Sequence, residues 1–253
     1  MSNPPGGLPA DPSHLHLLYM LQHDLHDDPH GSTVERWEVS VRHGHEVHVD
    51  PRCPRTAASG VPEECLDDDC PAYEENGVEI GQMVFFKIRF DGGMNPFWAM
   101  EEESHELYQI GNALLDPDSG DFTEELDQTL EPLGTELLIM DKVTLGVPWR
   151  GYGLGPFLAA EAIHRLKPGC RAIACSPGIS ERRDGLELGE EEWERITARI
   201  VAAWESVGFR LYRDNVYLMD PASVVPEEQL SVLRAASRRL AAEWRERSAP
   251  VAT

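Results

Sequence analysis

The sequence predicts an α/β fold in which a mixed central sheet is flanked by helices, and three observations carry that prediction. Stretches such as Val34 to Arg42 and Gly77 to Phe90 place apolar residues at every second position, the period of a half-buried strand. An aliphatic run from Leu137 to Val147 reads as a buried strand that passes through a glycine-rich turn into a helix. Later segments, 190 to 207 and 226 to 247, carry apolar residues at helical spacing, so strands and helices interleave along the chain.

Each element has its own signal. Residues 1–13 are rich in Pro and Gly and read as an irregular N-terminal segment. His14 to Leu25 is apolar with interspersed histidines and reads as a first strand. Val34 to Arg42 and Glu46 to Val49 alternate on either side of His43-Gly44, which reads as a hairpin. Residues 50–76 form a long acidic stretch with Asp67, Asp68 and Asp69 at its centre. In the strand from Gly77 to Phe90 the apolar parity shifts near Gly81-Gln82, a bulge signal. Asn95-Pro96 reads as an N-cap and first-turn proline opening a helix to about Leu115, and a short helix is expected between Phe122 and Leu130. Cys170 to Cys175 reads as a short buried strand, Glu190 to Val207 as a helix closed by Gly208, and Phe209 to Met219 as a hairpin about Asp214-Asn215. Pro226 to Arg247 is a last amphipathic helix. No segment repeats.

At 253 residues the chain can bury a full core. It lacks an apolar run of the ~20 residues a membrane span needs, and Met1-Ser-Asn-Pro-Pro-Gly-Gly lacks the features of a signal peptide, so a cytoplasmic location with no membrane partner is expected. The five cysteines, Cys53, Cys65, Cys70, Cys170 and Cys175, are odd in number and without framework spacing, and read as free thiols. His43, His45 and His48 with Cys53, Cys65 or Cys70 show neither Cys-x-x-Cys nor His-x₃-His spacing, so no metal is expected. The net charge of −23 is unevenly divided: residues 1–135 hold 28 acidic and 6 basic side chains, residues 136–253 hold 17 and 16. That excess argues against free nucleic acid as a ligand. It favours a cationic partner, or serves only to keep the protein soluble.

The chemistry concentrates at Arg150-Gly-Tyr-Gly-Leu-Gly155. Glycines at 151, 153 and 155 let the backbone turn tightly and aim several N–H groups at one point, where the dipole of the following helix adds positive potential. Pro156 suits the first helical turn, and Leu154, Leu158, Ala162 and Leu166 continue at i+4. Two common nucleotide motifs do not fit. A phosphate loop would end in Gly-Lys-Ser/Thr, and a dinucleotide fingerprint would space its glycines G-x-G-x-x-G after an N-terminal strand. The pattern resembles the acyl-CoA-binding motif Arg/Gln-x-x-Gly-x-Gly/Ala of the GNAT superfamily of N-acetyltransferases, with Arg150, Gly153 and Gly155 at its three defined positions. Ala203-Trp-Glu-Ser-Val-Gly-Phe209 stands where that family has a helix ending in Tyr-x-x-x-Gly-Phe, so the resemblance covers roughly residues 136–220.

The resemblance implies a mixed, mostly antiparallel sheet, with 14–220 as one GNAT-like domain, its acyl-CoA half about 136–220, and 221–253 as a helix packing on that domain or on a partner. It implies acetyl-CoA or another acyl-CoA as co-substrate, and an amine-bearing small molecule or peptide, cationic by the charge argument, as acceptor. A homo-oligomer is compatible with it. The expected cofactor-binding residues are the cradle Arg150, Gly151, Tyr152, Gly153, Leu154 and Gly155, together with Leu145, Gly146, Val147 and Trp204. In the family the helices usually lie between the first two strands, whereas here they follow the third. Acyl transfer to an amine needs a base, donors for the developing oxyanion and an acid for the leaving thiolate. Glu136 and Asp141 are the carboxylates on the expected central strand, and each is also explained as an ordinary strand-end charge. Backbone N–H groups of Leu145, Gly146 and Val147 are the expected oxyanion donors, because Gly146 permits a break in sheet pairing. For the acid, the family's tyrosine is replaced by Trp204, whose indole has no useful acidity. Either Tyr212 or Tyr217 substitutes, the thiolate leaves without a protein acid, or the chain is a catalytically inactive acyl-CoA-binding sensor or interaction module.

Overall fold

In the computed structural model the structure describes residues 7–21, 32–44, 77–178 and 189–248. Seven strands form one sheet in the order β1-β2-β3-β4-β5-β7-β6. They are β1 Leu15–Leu21, β2 Val34–His43, β3 Val78–Arg89, β4 Glu136–Leu145, β5 Cys170–Cys175, β6 Arg210–Arg213 and β7 Val216–Met219. All neighbours run antiparallel except β4 and β5, so the sheet is mixed and mostly antiparallel, flanked by helices. The helices are α1 Pro96–Glu103, α2 His105–Leu114, α3 Glu124–Asp127, α4 Leu154–Leu166, α5 Glu190–Val207 and α6 Val225–Ser248. Parallel strands need a crossover, and α4 supplies it between β4 and β5.

The alternation of β4 sorts the core into two layers. Leu138 and Met140 face a cluster with Val39, Val41, Phe85, Leu158, Ile163, Phe209 and Leu230 beneath α4 and α6. Leu137 and Ile139 face the other cluster with Phe86, Ile88, Leu107, Ile110 and Leu114 beneath α1 and α2. Each fully buried side chain of this size contributes about 1.5–3 kcal/mol relative to exposure, so β4 is held firmly from both sides.

Local chemistry sets the element ends. The Asn95 side chain accepts from the Phe97 N–H and Pro96 opens α1, as the sequence predicts. The single helix expected to Leu115 is broken at Ser104, whose extended backbone ends α1 while its hydroxyl caps α2 by accepting from the Leu107 N–H at 3.1 Å. The short helix expected over 122–130 reduces to α3, a single turn. Asp214 and Asn215 take positive φ, 47° and 62°, which makes the β6-β7 hairpin turn. The bulge in β3 falls beside Gly81: Val41 pairs with Gly81 and Arg42 with Glu79, leaving Ile80 as the extra residue.

The hairpin expected about His43-Gly44 is corrected. β2 pairs along one edge with β1 and along the other with β3, so it offers no free edge to a strand at Glu46–Val49. Residues 46–49 themselves, the acidic stretch 50–76 and Cys53, Cys65 and Cys70 lie outside the described residues.

Candidate active site

The C-terminal end of β4 is where the sheet opens. Parallel pairing with β5 runs from Glu136↔Cys170 to Met140↔Cys175 and ends there. On its other edge β4 stays bonded to β3 as far as Gly146, whose N–H donates to the Ile80 carbonyl at 2.7 Å. Antiparallel pairs alternate between bonded and non-bonded residues. With Ile80 and Gly146 a bonded pair, the backbone groups of Leu145 and Val143 turn to the opposite edge, where no described strand meets them. Arg150 confirms that direction, because its Nε donates to the Leu145 carbonyl at 2.5 Å.

Asp141 is itself an irregularity. Met140 pairs with Phe85 and Lys142 with Val84, so Asp141 is an extra residue in β4, one position past the last pair with β5. Its side chain reaches solvent, yet the carboxyl pKa is raised, first by partial desolvation and next by the charge of Glu106, with Glu103 adding to it and Lys142 and Arg36 opposing. The groups that act on it place Asp141 on the α1-α2 side of the sheet.

Beyond Leu145 the chain makes a 3-10 turn, Val147–Trp149, that buries Trp149 and leaves Val147 73% exposed. Gly151 and Gly153 then take φ of +89° and +78°, values that a side chain would strain. Gly153 is the N-cap of α4 and supplies no side-chain cap, and the first turn of the helix carries no acidic residue. Among the described residues, a Cβ built on Gly153 or Gly155 meets nothing within 4 Å. The turn is thus an open, uncapped helix N-terminus with its amides available to an anion. Tyr152 turns inward and packs on the core beneath α4, with its hydroxyl buried and without a hydrogen-bond partner among the described residues.

The sequence-predicted residues divide into those near this opening and those away from it. Tyr217 is in register with Cys175, which pairs with Met140, so it lies on the cross-strand row where β4 and β5 part. It is buried in the same layer as Trp149, and burial raises the phenol pKa, with Glu205 and Cys175 adding to the effect. Tyr212 packs against the opposite layer, where its hydroxyl accepts from Arg213 at 3.1 Å and the guanidinium lies 4.8 Å over its ring. Trp204 is half-buried against the α4 layer, and its carbonyl accepts from the Phe209 N–H at the close of α5.

Glu136 begins β4, nine residues from Leu145 and so ~30 Å away along an extended strand, and its Oε2 pairs with Lys87 Nζ at 2.7 Å. The structure does not bring Glu136 to the turn. Of the three expected oxyanion donors, Gly146 is already spent on β3, while Leu145 faces the opening. Val143, which shares that edge, carried no signal in the sequence, because strand pairing and not residue type exposes it. A cleft of about 560 Å³ lies at the Glu136 end beside Gly134, Thr135, Phe122 and Arg171, away from the turn.

Among the described residues no cluster of three or more His, Cys, Asp or Glu is arranged to hold a metal, and no helix is long and apolar enough to cross a membrane. No family model matches the chain, and no curated protein matches it in sequence. Among the solved structures that match the chain are two of low similarity. A tyrosine-to-phenylalanine mutant of KacT shares 10% identity over 85% of this chain and 98% of its own, with a TM-score of 0.35. The KacTA–DNA complex shares 9% identity over 87% of this chain and 99% of that one, with a TM-score of 0.33.

Proposed function

We propose that the chain is an acyl-CoA-dependent N-acyltransferase of the GNAT type, moving an acetyl or related acyl group to a primary amine. The observation that supports this reading best is one coincidence of structure. The parallel pair β4-β5 parts at Met140↔Cys175, and just beyond it β4 runs into an open glycine turn at an uncapped helix N-terminus.

Acyl-CoA fits these residues: the amides of Gly151 to Gly155 would take its pyrophosphate, and the free β4 edge at Val143 and Leu145 would take amide groups of its extended arm. Bound there, it would supply an acyl group activated as a thioester. The chain's own part is to position and to move protons. Of the two N–H groups on that edge, that of Val143, nearer the parting of β4 and β5, would donate to the oxyanion, and that of Leu145 to a carbonyl of the arm. Asp141, its pKa raised, is the carboxylate beside the opening that would accept a proton from the amine. Tyr217, a phenol whose pKa burial raises above its ordinary 10, is the tyrosine on the same row and would donate a proton to the leaving thiolate.

The acceptor in this reading is cationic. Glu103 and Glu106 stand close enough to act on Asp141, and residues 101–135 contain 11 acidic side chains and no basic one. Negative potential there would concentrate a protonated amine. A second reading, an acyl-CoA-binding sensor without turnover, draws on Trp204, which packs where the resemblance leads one to expect a tyrosine. Thiol release from acetyl-CoA with a panel of cationic, neutral and anionic amines tests both. Turnover with cationic amines supports the enzyme, saturable CoA binding without turnover supports the sensor, and absence of CoA binding removes both.

A further inference from the structure

Trp149, the residue before Arg150, is buried, and what packs on it is His43 at the end of β2: the ring centroids are 5.5 Å apart. On its other side the His43 ring meets His14 at 5.8 Å. Its Nε2 lies 3.0 Å from the Asp11 carbonyl oxygen. A carbonyl only accepts, so Nε2 carries the proton and Nδ1 is bare in the neutral ring. The backbone here has little freedom. His43 pairs with Leu15 on one side and Val78 on the other, Gly44 N–H donates to the His14 carbonyl at 2.9 Å, and a Cβ on Gly77 would collide with the His43 carbonyl.

We infer that His43 is a positioning residue for the glycine turn: as a neutral imidazole it holds Trp149, and with it the entry to the turn, in the anion-binding shape, and protonation loosens that hold. The inference rests on the reading of the turn as the acyl-CoA site and adds a regulation to it.

The charges facing the ring come from the N-terminal 3-10 turn, Asp11 and His14. Asp11 is in turn bonded by the Ser13 N–H at 2.8 Å and lies 3.5 Å from Arg245 of α6. Burial holds the His43 pKa below its ordinary 6.5, with the charge of His14 acting the same way, while the carbonyl and charge of Asp11 and a backbone hydrogen bond with Gly44 oppose it. A lowered pKa means that the packed arrangement prefers the neutral ring. Its population is therefore full above pH 6.5 and falls as the pH drops below that value toward the depressed pKa.

The test is calorimetric titration of the full chain with CoA from pH 8 to 5.5, using wild type, His43→Gln and His43→Phe. Gln keeps an N–H donor for the Asp11 carbonyl and Phe keeps a ring against Trp149; neither titrates. The phosphate of CoA titrates near pH 6 in every arm, so the readout is the difference between profiles. Wild-type affinity should fall about threefold more than that of His43→Gln between pH 7.5 and 5.5, as the ring begins to protonate below its ordinary pKa. Parallel profiles in wild type and both variants overturn the inference while leaving the cradle intact. If wild type fails to bind CoA at pH 7.5, the cradle reading falls, and the Trp149 indole N–H signal in NMR then decides His43 alone. That signal should move with an inflection below pH 6.5 in wild type and stay flat in His43→Gln; a flat wild-type signal overturns the inference.

Discussion

The two ends of β4 are built from the same strand and do opposite things. At the Glu136 end the strand is paired on both edges, with Arg89 and Cys170 as partners, and its first side chain is tied to Lys87, whose Nζ also donates to the Pro168 carbonyl at 3.1 Å. At the Leu145 end no described strand continues along one edge, an extra residue has entered the strand, and the chain leaves through glycines that no described residue covers. A carboxylate at the first end is structural. A carboxylate, a tyrosine and strand amides without a described partner strand gather at the second, which is where we propose that the ligand binds. Residue type does not separate these cases, and the pairing does.

That contrast can be broken most severely at Gly153. A valine there would project into the space that the anion needs and would also strain the left-handed backbone by about 1–2 kcal/mol, so Gly153→Asn is the cleaner variant, since Asn tolerates that conformation. CoA affinity should drop on the order of a thousandfold in calorimetry while thermal unfolding stays near wild type. The next largest effect separates the two tyrosines. Tyr217→Phe should lower kcat roughly ten- to a thousandfold with CoA affinity kept, and Tyr212→Phe, on the other face, should change kcat by less than about threefold. Equal losses from both variants would place the acid elsewhere.

The two carboxylates sharpen the comparison further. Asp141 acts as a base only when ionised, so its raised pKa sets the acid limb of kcat/KM above the ordinary 3.8. Glu106→Gln removes a charge that raises that pKa, and the limb should move to lower pH; a limb that stays in place would dissociate Asp141 from the rate. Glu136→Gln should leave the pH profile alone and cost roughly 1 to 3 kcal/mol in denaturant unfolding, because it strands Lys87 in a partly buried position. The smallest effect is electrostatic steering: kcat/KM for a cationic amine should fall a few-fold between low and physiological salt, and that for a neutral amine should not.

Much of the fold was legible because its signals are local. The period of β3, the Asn95 cap, the glycine turn and the Asp214-Asn215 hairpin each depend on a few neighbouring residues, and each stands where the sequence puts it. The hairpin at His43 failed because two alternating segments cannot say which strands will claim their edges, and β1 and β3 claimed both edges of β2. Ser104 divides a helix that reads as continuous, since a serine cap competes with helix only where the chain must bend. At the candidate site the left-handed glycine turn before α4 was legible from glycine spacing. The open edge at Val143, the extra residue at Asp141 and the position of Tyr217 on the row where β4 and β5 part were not, because all three follow from register between strands distant in sequence. The contact of His43 with Trp149 joins residues 106 positions apart and leaves no mark in either segment.

The central claim is that the opening at the Leu145 end of β4 is where acyl-CoA binds, and amide hydrogen exchange of the full chain with and without CoA tests it most directly. The account predicts that CoA slows exchange at Val143, Leu145 and Gly151 to Phe157, and leaves Gly134 to Leu138 unchanged. Protection at the Glu136 end, or none anywhere while calorimetry shows binding, would contradict it.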